Sequence, residues 1–588
     1  MLSTHERRGD RLPRRLAAAA ALLHVAVAVA ILHVAWTHPA SSIAGPSVID
    51  APGSGAGGIA NGDSVQLVWF LRWTPFAVGH LHDPLYTRYL NAPTGANLMW
   101  DALMPVAGLA LAPVTLIAGP ALALNLLVTL AVAGCGVTAT LCARRFVRSN
   151  VAAVASGLAY ECSAYVVAQA QGHDSVVLAA ALVPCVLLLF IDGALTSART
   201  VRSAGVLLGI VAAVMFYTWE ETLLGLAVVG TLGLALAAAL NAARVRALLG
   251  RVAAVLAVGG LVSAVLATPG LLVQFGAMHL TAAGIRQADV WVIDLQNLVV
   301  PTKVEALAPR AAALASHAWT GNSFEWGGYA GIPLLAVMLA TLVSLRRRRC
   351  VLWLGAMYVV SILLAFGPTL HVGGQDTRVP MPWALLAHVP LVRDILAARL
   401  AVFPALAAAL LLGIAVDELL ARRRAALAAA ICAVVAATLL PAALPAQGVR
   451  APAFFTGADA RRIPQGATVL VAPWATPLAM QAMYWQAASG MRFAMPSGYV
   501  SLPAPGASLV ESPLPTPTST AMTDIGLGDA VTVTDSLRTQ VLGDLARWRV
   551  STVIVGPMAH AGAMVAFFRS VLGSAPRRVG GVDVWWTA

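Results

Sequence analysis

The chain has 588 residues, of which 59% are hydrophobic and 11% charged, against about 25% charged in ordinary soluble domains. A soluble fold of this size has no way to hide so much apolar surface, which excludes a soluble enzyme and a disordered scaffold. The formal net charge of +12 comes from arginines clustered between apolar runs, with Lys303 the only lysine, a pattern of membrane topology and not of a nucleic-acid-binding face.

Residues 1–15 form a basic N-terminus with Arg7, Arg8, Arg11, Arg14 and Arg15, predicted to be cytoplasmic. The apolar run 16–36 is long enough to span and reads as an uncleaved first helix, running from inside to outside. Further apolar runs lie near 121–143, 150–170, 175–196, 204–219, 222–241, 252–275, 328–345, 351–367, 398–420 and 425–445. This predicts about eleven spans within a membrane domain covering 16–445. The segment 103–119 is apolar but broken by Pro105 and Pro113, with Pro120 following; it reads as a re-entrant piece or an extra short span.

With the N-terminus inside, the clusters Arg144–Arg145–Arg148, Arg199–Arg202, Arg244–Arg246–Arg251, 346–349 and 422–424 all fall on the cytoplasmic side, as the positive-inside rule requires. The odd number of spans then places 446–588 outside. The six cysteines, Cys135, Cys142, Cys162, Cys185, Cys350 and Cys432, lie in or beside apolar runs without zinc-type spacing. They read as inert thiols.

The outer side is chemically richer. The first external loop, 37–102, holds Asp63, His80, His82, Asp83 and Asp101; a tight turn holds His173 and Asp174; another holds Trp219, Glu220 and Glu221; the loop at 276–327 holds Arg286 and Glu325; and Arg393 precedes Arg399 at the start of a later run. The predicted span interiors carry few charges apart from Glu161, Asp192 and Asp417. Transporters keep ionisable groups at the membrane midplane, so the expected working surface is the external boundary. Within the first loop, SVQLVWFLRW (64–73) aligns Val65, Trp69 and Trp73 on one helical stripe with Phe70. Two readings stand: a helix lying in the interface with its tryptophans at headgroup depth, or a helix packed on the bundle.

A first span followed by a large external loop with an early aspartate resembles the GT-C superfamily, multispanning glycosyltransferases that use polyprenyl-phosphate sugars. The resemblance rests on NGDSVQLVWFLRW (61–73), NAPTGANLMWD (91–101), QGHD (171–174), GNSFEWGGYAGIPLL (321–335) and PLVRDILAARLAVFP (390–404). It extends to bacterial GT-C-like proteins with a C-terminal external domain. It implies an inverting hexosyl- or pentosyltransferase of the bacterial inner membrane, acting on an extracytoplasmic glycan, lipid or protein, with the loop aspartate, Asp63, as general base. No strict DxD pair lies near Asp63 and HxHD at 80–83 is a weak ligand pattern, so the sequence supports no cofactor and gives a divalent metal no clear motif.

Transfer from a lipid phosphate needs one carboxylate to take the acceptor's proton and cations to meet the phosphate. Asp63 is the candidate base, with a helix N-cap as its alternative role. The candidate substrate-binding residues are Asp83, Asp101, His173, Asp174, Glu220, Glu221, Arg393 and Arg399. Two other functions remain open: a non-catalytic GT-C-like protein assisting glycan or lipid assembly, and a transporter or flippase.

From about 446 the composition becomes that of a soluble domain. ATVLVAP (467–473), STVIVGP (551–557) and VDVWW (582–586) read as strands, SLRTQVLGDLARWR (536–549) as a helix, and 500–520, rich in Pro, Ser and Thr, as a loop. A small α/β domain follows, with no nucleotide-binding motif. The fold class expected is thus an α-helical polytopic membrane protein with a small C-terminal α/β extracytoplasmic domain.

Overall fold

The computed structural model describes residues 13–49, 59–276, 289–504 and 509–586. Most of the basic N-terminus and Arg286 fall outside them. Every predicted apolar run carries a helix or a helix pair. The helices Arg14–Trp36 and Pro120–Ala143, the segment Asp174–Leu195, the bent Val201–Gly276 helix and the segment Ala397–Ala421 are long and apolar enough to cross a bilayer. Shorter apolar helices cover Gly331–Ser344, Arg349–Ala365 and Ala425–Thr438. The run 150–170 divides into Asn150–Glu161 and Ala164–Gln169, each started by a serine whose side chain accepts from the first turn, Ser149 and Ser163.

The 76-residue Val201–Gly276 helix leaves helical geometry at Trp219 (φ −165°, ψ 90°) and Asn241 (φ −161°, ψ 71°). It therefore folds back on itself, as the three predicted runs within it require. The segment 103–119 forms two short helices, Pro105–Ala110 and Ala112–Ala118. At 1.5 Å rise per residue neither approaches the roughly 30 Å of a bilayer core.

Two ends of the bundle are chemically distinct. The helix Val402–Ala421 begins just after Arg399 and carries Asp417 and Glu418 near its other end. Those positions are about 27 Å apart along the axis, close to the thickness of a bilayer core. At the Asp417 end, Arg145 binds Asp192 (Nε–Oδ1 2.5 Å), Arg148 meets Asp417 (3.4 Å) and Glu418 accepts from Arg348 (2.6 Å) and Arg422 (2.8 Å). The arginine clusters thus gather at one end.

The C-terminal region contains a four-stranded sheet ordered Arg577–Val579, Val582–Trp586, Val550–Val555, Thr468–Ala472, with the last two strands parallel. Period-two alternation gives the sheet two buried faces. Leu470, Ala472, Val553, Val555 and Trp585 pack beneath the helices Pro517–Leu527, Asp535–Trp548 and Ala561–Leu572. Val469, Val471, Ile554 and Val584 enter a different core, shared with Trp69, Phe70 and Trp73 of the first loop.

That shared core corrects the interface reading of 64–73. In the helix Asp63–Gly79 both faces are buried, with Trp69 and Trp73 fully enclosed. Their indole N–H groups donate to Gln486 Oε1 and to the Pro84 carbonyl, partners made of protein and not headgroups. A tryptophan stripe satisfies either environment, because the ring needs an apolar surround and one acceptor. The loop reading of 500–520 also needs correction: Leu502–Pro503 pairs with Leu509–Val510, and a helix starts at Pro517 behind a capping box of Thr516 and Ser519.

Candidate active site

At the end of the bundle opposite the arginine clusters, charged side chains from five distant segments form one continuous network. Asp63 is the first residue of its helix, which follows the non-capping Gly62. Its carboxylate does not close the helix end. Oδ2 meets His173 Nε2 at 3.1 Å and Oδ1 accepts from the Tyr499 hydroxyl at 2.8 Å. Asp63 therefore does not act as the N-cap. Its side chain keeps 30% of its surface exposed, so part of the carboxylate remains open.

His173 is oriented from behind. Its Nδ1 lies 2.7 Å from Gln169 Oε1 and 3.5 Å from Glu325 Oε1. Gln169 donates through Nε2 to Glu325 Oε2 (2.9 Å) and to the Phe324 carbonyl (3.0 Å). Arg399 reaches Glu325 Oε1 through Nε (2.9 Å) and Nη2 (2.8 Å), and Glu221 Oε2 through Nη1 (2.6 Å). Its guanidinium also stacks 4.7 Å from the Trp219 ring. The break at Trp219 lies beside this contact: the Glu221 carboxylate meets the start of the distant Ala397–Ala421 segment, accepting from the Leu396 N–H and from Trp219 Nε1.

The electrostatics follow from this packing. Burial pushes the Asp63 carboxyl upward, but hydrogen bonds from His173 and Tyr499, with the charges of His173 and Arg399, outweigh it and hold the group below its ordinary value. Glu325 is held down in the same way, burial being overcome by Arg399 and His173. Tyr499 is pushed well up, first by burial and then by the Asp63 charge. It stays protonated and donates.

Beside this network, Asp101 accepts from the Ser501 N–H (3.1 Å) and hydroxyl (3.0 Å). Burial pushes its carboxyl up to about 7 against those bonds, with Glu511 and Glu220 adding to the rise. Glu220 accepts from Gln274 at 3.4 Å.

Of the candidates read from the sequence, Asp63, His173, Glu221 and Arg399 thus converge, and Asp101 and Glu220 adjoin them. Three do not join the network. Asp83 is exposed and caps its own turn through the Leu85 N–H (2.8 Å). Asp174 is buried, and its carboxylate oxygens have no hydrogen-bond partner. Arg393 lies against Asp394 at 3.9 Å. Arg399 is 6% exposed and its donors are engaged by carboxylates, so it is not presented as a free phosphate ligand. Among the described residues no group of three or more His, Cys, Asp or Glu is placed to hold a metal.

Three members of the site were not singled out by sequence. Glu325 was one acid among several in its loop, Gln169 carried no signal, and Tyr499 lies 436 positions from Asp63.

No protein-family profile matches the sequence, and no curated protein does. Solved structures do. The chain superposes on AglB, an oligosaccharyltransferase from Archaeoglobus fulgidus in complex with an inhibitory peptide and a dolichol-phosphate, at 11% identity and TM-score 0.54, covering 96% of this chain and 71% of that one. It also matches the arabinofuranosyltransferase AftD from mycobacteria (15% identity, 94% and 37% covered, TM-score 0.48). A third match is ArnT from Cupriavidus metallidurans bound to undecaprenyl phosphate (13%, 97% and 97%, TM-score 0.44). At such identities the AglB match speaks to fold. The chain thus has the fold of that oligosaccharyltransferase, built on helices long and apolar enough to cross a membrane.

Proposed function

We propose that the protein is a membrane glycosyltransferase that moves a sugar from a polyprenyl-phosphate donor to an extracytoplasmic acceptor with inversion, Asp63 acting as general base. The observation that carries this reading is the Asp63 carboxylate itself: held ionised, oriented from two sides, and still partly open. In the reaction the acceptor hydroxyl forms a bond to the sugar's anomeric carbon as the bond to the phosphate oxygen breaks. The hydroxyl proton passes to Asp63 and the electron pair leaves with the lipid phosphate. His173, backed by Glu325 and Arg399, keeps Asp63 in place.

A place for the lipid tail supports the same reading. An apolar cavity of about 670 Å³ runs between helices, lined by Val186, Leu223, Leu256, Trp353 and Phe403 among others. Glu221 and Arg399 sit one turn from Leu223 and Phe403 in sequence. We place the network on the extracytoplasmic side of a bacterial inner membrane, with the N-terminus inside and 446–588 outside.

The test is Asp63→Asn in liposomes supplied with an undecaprenyl-phosphate-linked pentose or hexose. Transfer should fall by about 10²–10⁴-fold, the usual cost of losing a general base, with melting temperature nearly unchanged. Wild-type transfer by a folded variant would remove Asp63 from the mechanism.

A further inference from the structure

The segment 499–501 belongs to the C-terminal region, yet it is fastened to the first external loop at several points. The Tyr499 hydroxyl donates to Asp63 Oδ1 (2.8 Å). The Tyr499 carbonyl accepts from Gln66 Nε2 (2.9 Å), and Gln66 lies three residues beyond Asp63, on the same side of the same helix. Two residues on, the Ser501 N–H and hydroxyl donate to Asp101. Gly62 closes the join from the other direction: a Cβ there would lie 2.2 Å from the Pro477 carbonyl oxygen. A phenol tethered through its own backbone to the helix that carries its partner has little freedom to point elsewhere.

We propose that Tyr499 is a positioning residue for Asp63: its phenol fixes the carboxylate through Oδ1, while His173 holds Oδ2, so that the remaining lone pairs face the acceptor hydroxyl. The proposal rests on the reading of Asp63 as base. The charged and titratable groups around the pair are His173 and Arg399 on the Asp63 side, Glu325 behind His173, and Asp101 and Glu511 on the Tyr499 side. Among these Tyr499 alone is a neutral donor held by the C-terminal region. A hydrogen bond to the ionised carboxylate favours that form, so its loss raises the pH at which Asp63 becomes competent.

Tyr499→Phe keeps the ring and removes the hydroxyl. Using the undecaprenyl-phosphate-linked sugar that wild type turns over, the acidic limb of kcat/KM should move to higher pH. The loss should be about tenfold at acidic pH and shrink toward alkaline pH, where Asp63 is ionised in both proteins. Ser501→Ala loosens the same segment without touching Asp63 and should leave the limb in place. A Tyr499→Phe profile that overlays wild type after scaling would overturn the proposal.

Asp63→Asn separates the two ideas. Retained transfer there defeats the base reading, whereas an inactive Asp63→Asn beside an unshifted Tyr499→Phe defeats the positioning role alone. A readout without substrate completes the test: melting shifts of Tyr499→Phe and Asp63→Ala should sum to more than the shift of the double variant. Strict additivity would show that the two side chains do not support each other, which also overturns the proposal.

Discussion

At both ends of the helix bundle carboxylates meet arginines, but the two sets differ in who is buried. At the Asp417 end Arg148, Arg348 and Arg422 keep 75%, 41% and 54% of their side-chain surface exposed while binding Asp417 or Glu418. At the opposite end Arg399 keeps 6%, shared between Glu221 at 13% and Glu325 at 1%. Water can replace an exposed arginine at small cost, and such pairs contribute little. An enclosed cation between two carboxylates has no such substitute, so the Arg399 set is held rigid; at the Asp417 end only Arg145, 22% exposed on Asp192, approaches that enclosure. Preorganisation of this kind suits a site that must present a charge without rearranging.

The contrast is broken most severely by Arg399→Ala. It leaves Glu325 and Glu221 without their cation, and removing one partner of a buried pair costs about 3–5 kcal/mol. A marked drop in detergent melting temperature is expected, with Arg399→Lys intermediate, because an ammonium cannot reproduce the fork. Unchanged melting in the alanine variant would mean that the Arg399 network is not what holds these segments together.

A second test uses Asp101 at the margin of that network. Its folded value near 7 lies above the roughly 3.9 of an unfolded aspartate. Protonated Asp101 therefore favours the fold below the unfolded value, and that contribution is lost as pH rises through the folded value near 7. Asp101→Asn can still accept from Ser501 but does not ionise. Between pH 5 and pH 8 its melting temperature should fall less than that of wild type; parallel curves would show that Asp101 is not neutral in the fold.

The smallest effect belongs to the Asp417 end. Arg348→Ala should cost under about 1 kcal/mol, since its partner Glu418 also holds Arg422. A loss matching that of Arg399→Ala would erase the distinction between the two ends.

The sequence separates the arginine clusters from the loops rich in acids and histidines, but it does not show which of those residues meet. Arginine spacing is a local signal, and Arg145, Arg148, Arg348 and Arg422 from three of the clusters pair with acids at the Asp417 end of the bundle. The strands Thr468–Ala472 and Val550–Val555 were legible for the same reason, because short apolar runs ending in proline declare themselves. Asp63 was legible through its early position before an apolar helix and through resemblance. Glu325 and Tyr499 were not, because their roles exist only through partners 74 and 436 positions away. Trp69 and Trp73 misled for a related reason: their spacing reports an apolar neighbour without saying whether it is lipid or protein. The neighbour is the C-terminal region, as Trp69 on Gln486 shows.

The join between Asp63 and Tyr499 also imposes an order on biosynthesis. Asp63 is synthesised 436 residues ahead of its partner. At about 5–20 residues per second that interval is on the order of 20–90 s. The Asp63 end of the bundle must therefore stay incomplete until Tyr499 has been made. Only after the segment around Tyr499 has folded back onto the Asp63 helix can the carboxylate gain its second support. A site assembled in this order is unfinished during most of synthesis, and a chain truncated after the Ala425–Thr438 helix would lack the Tyr499 support of Asp63.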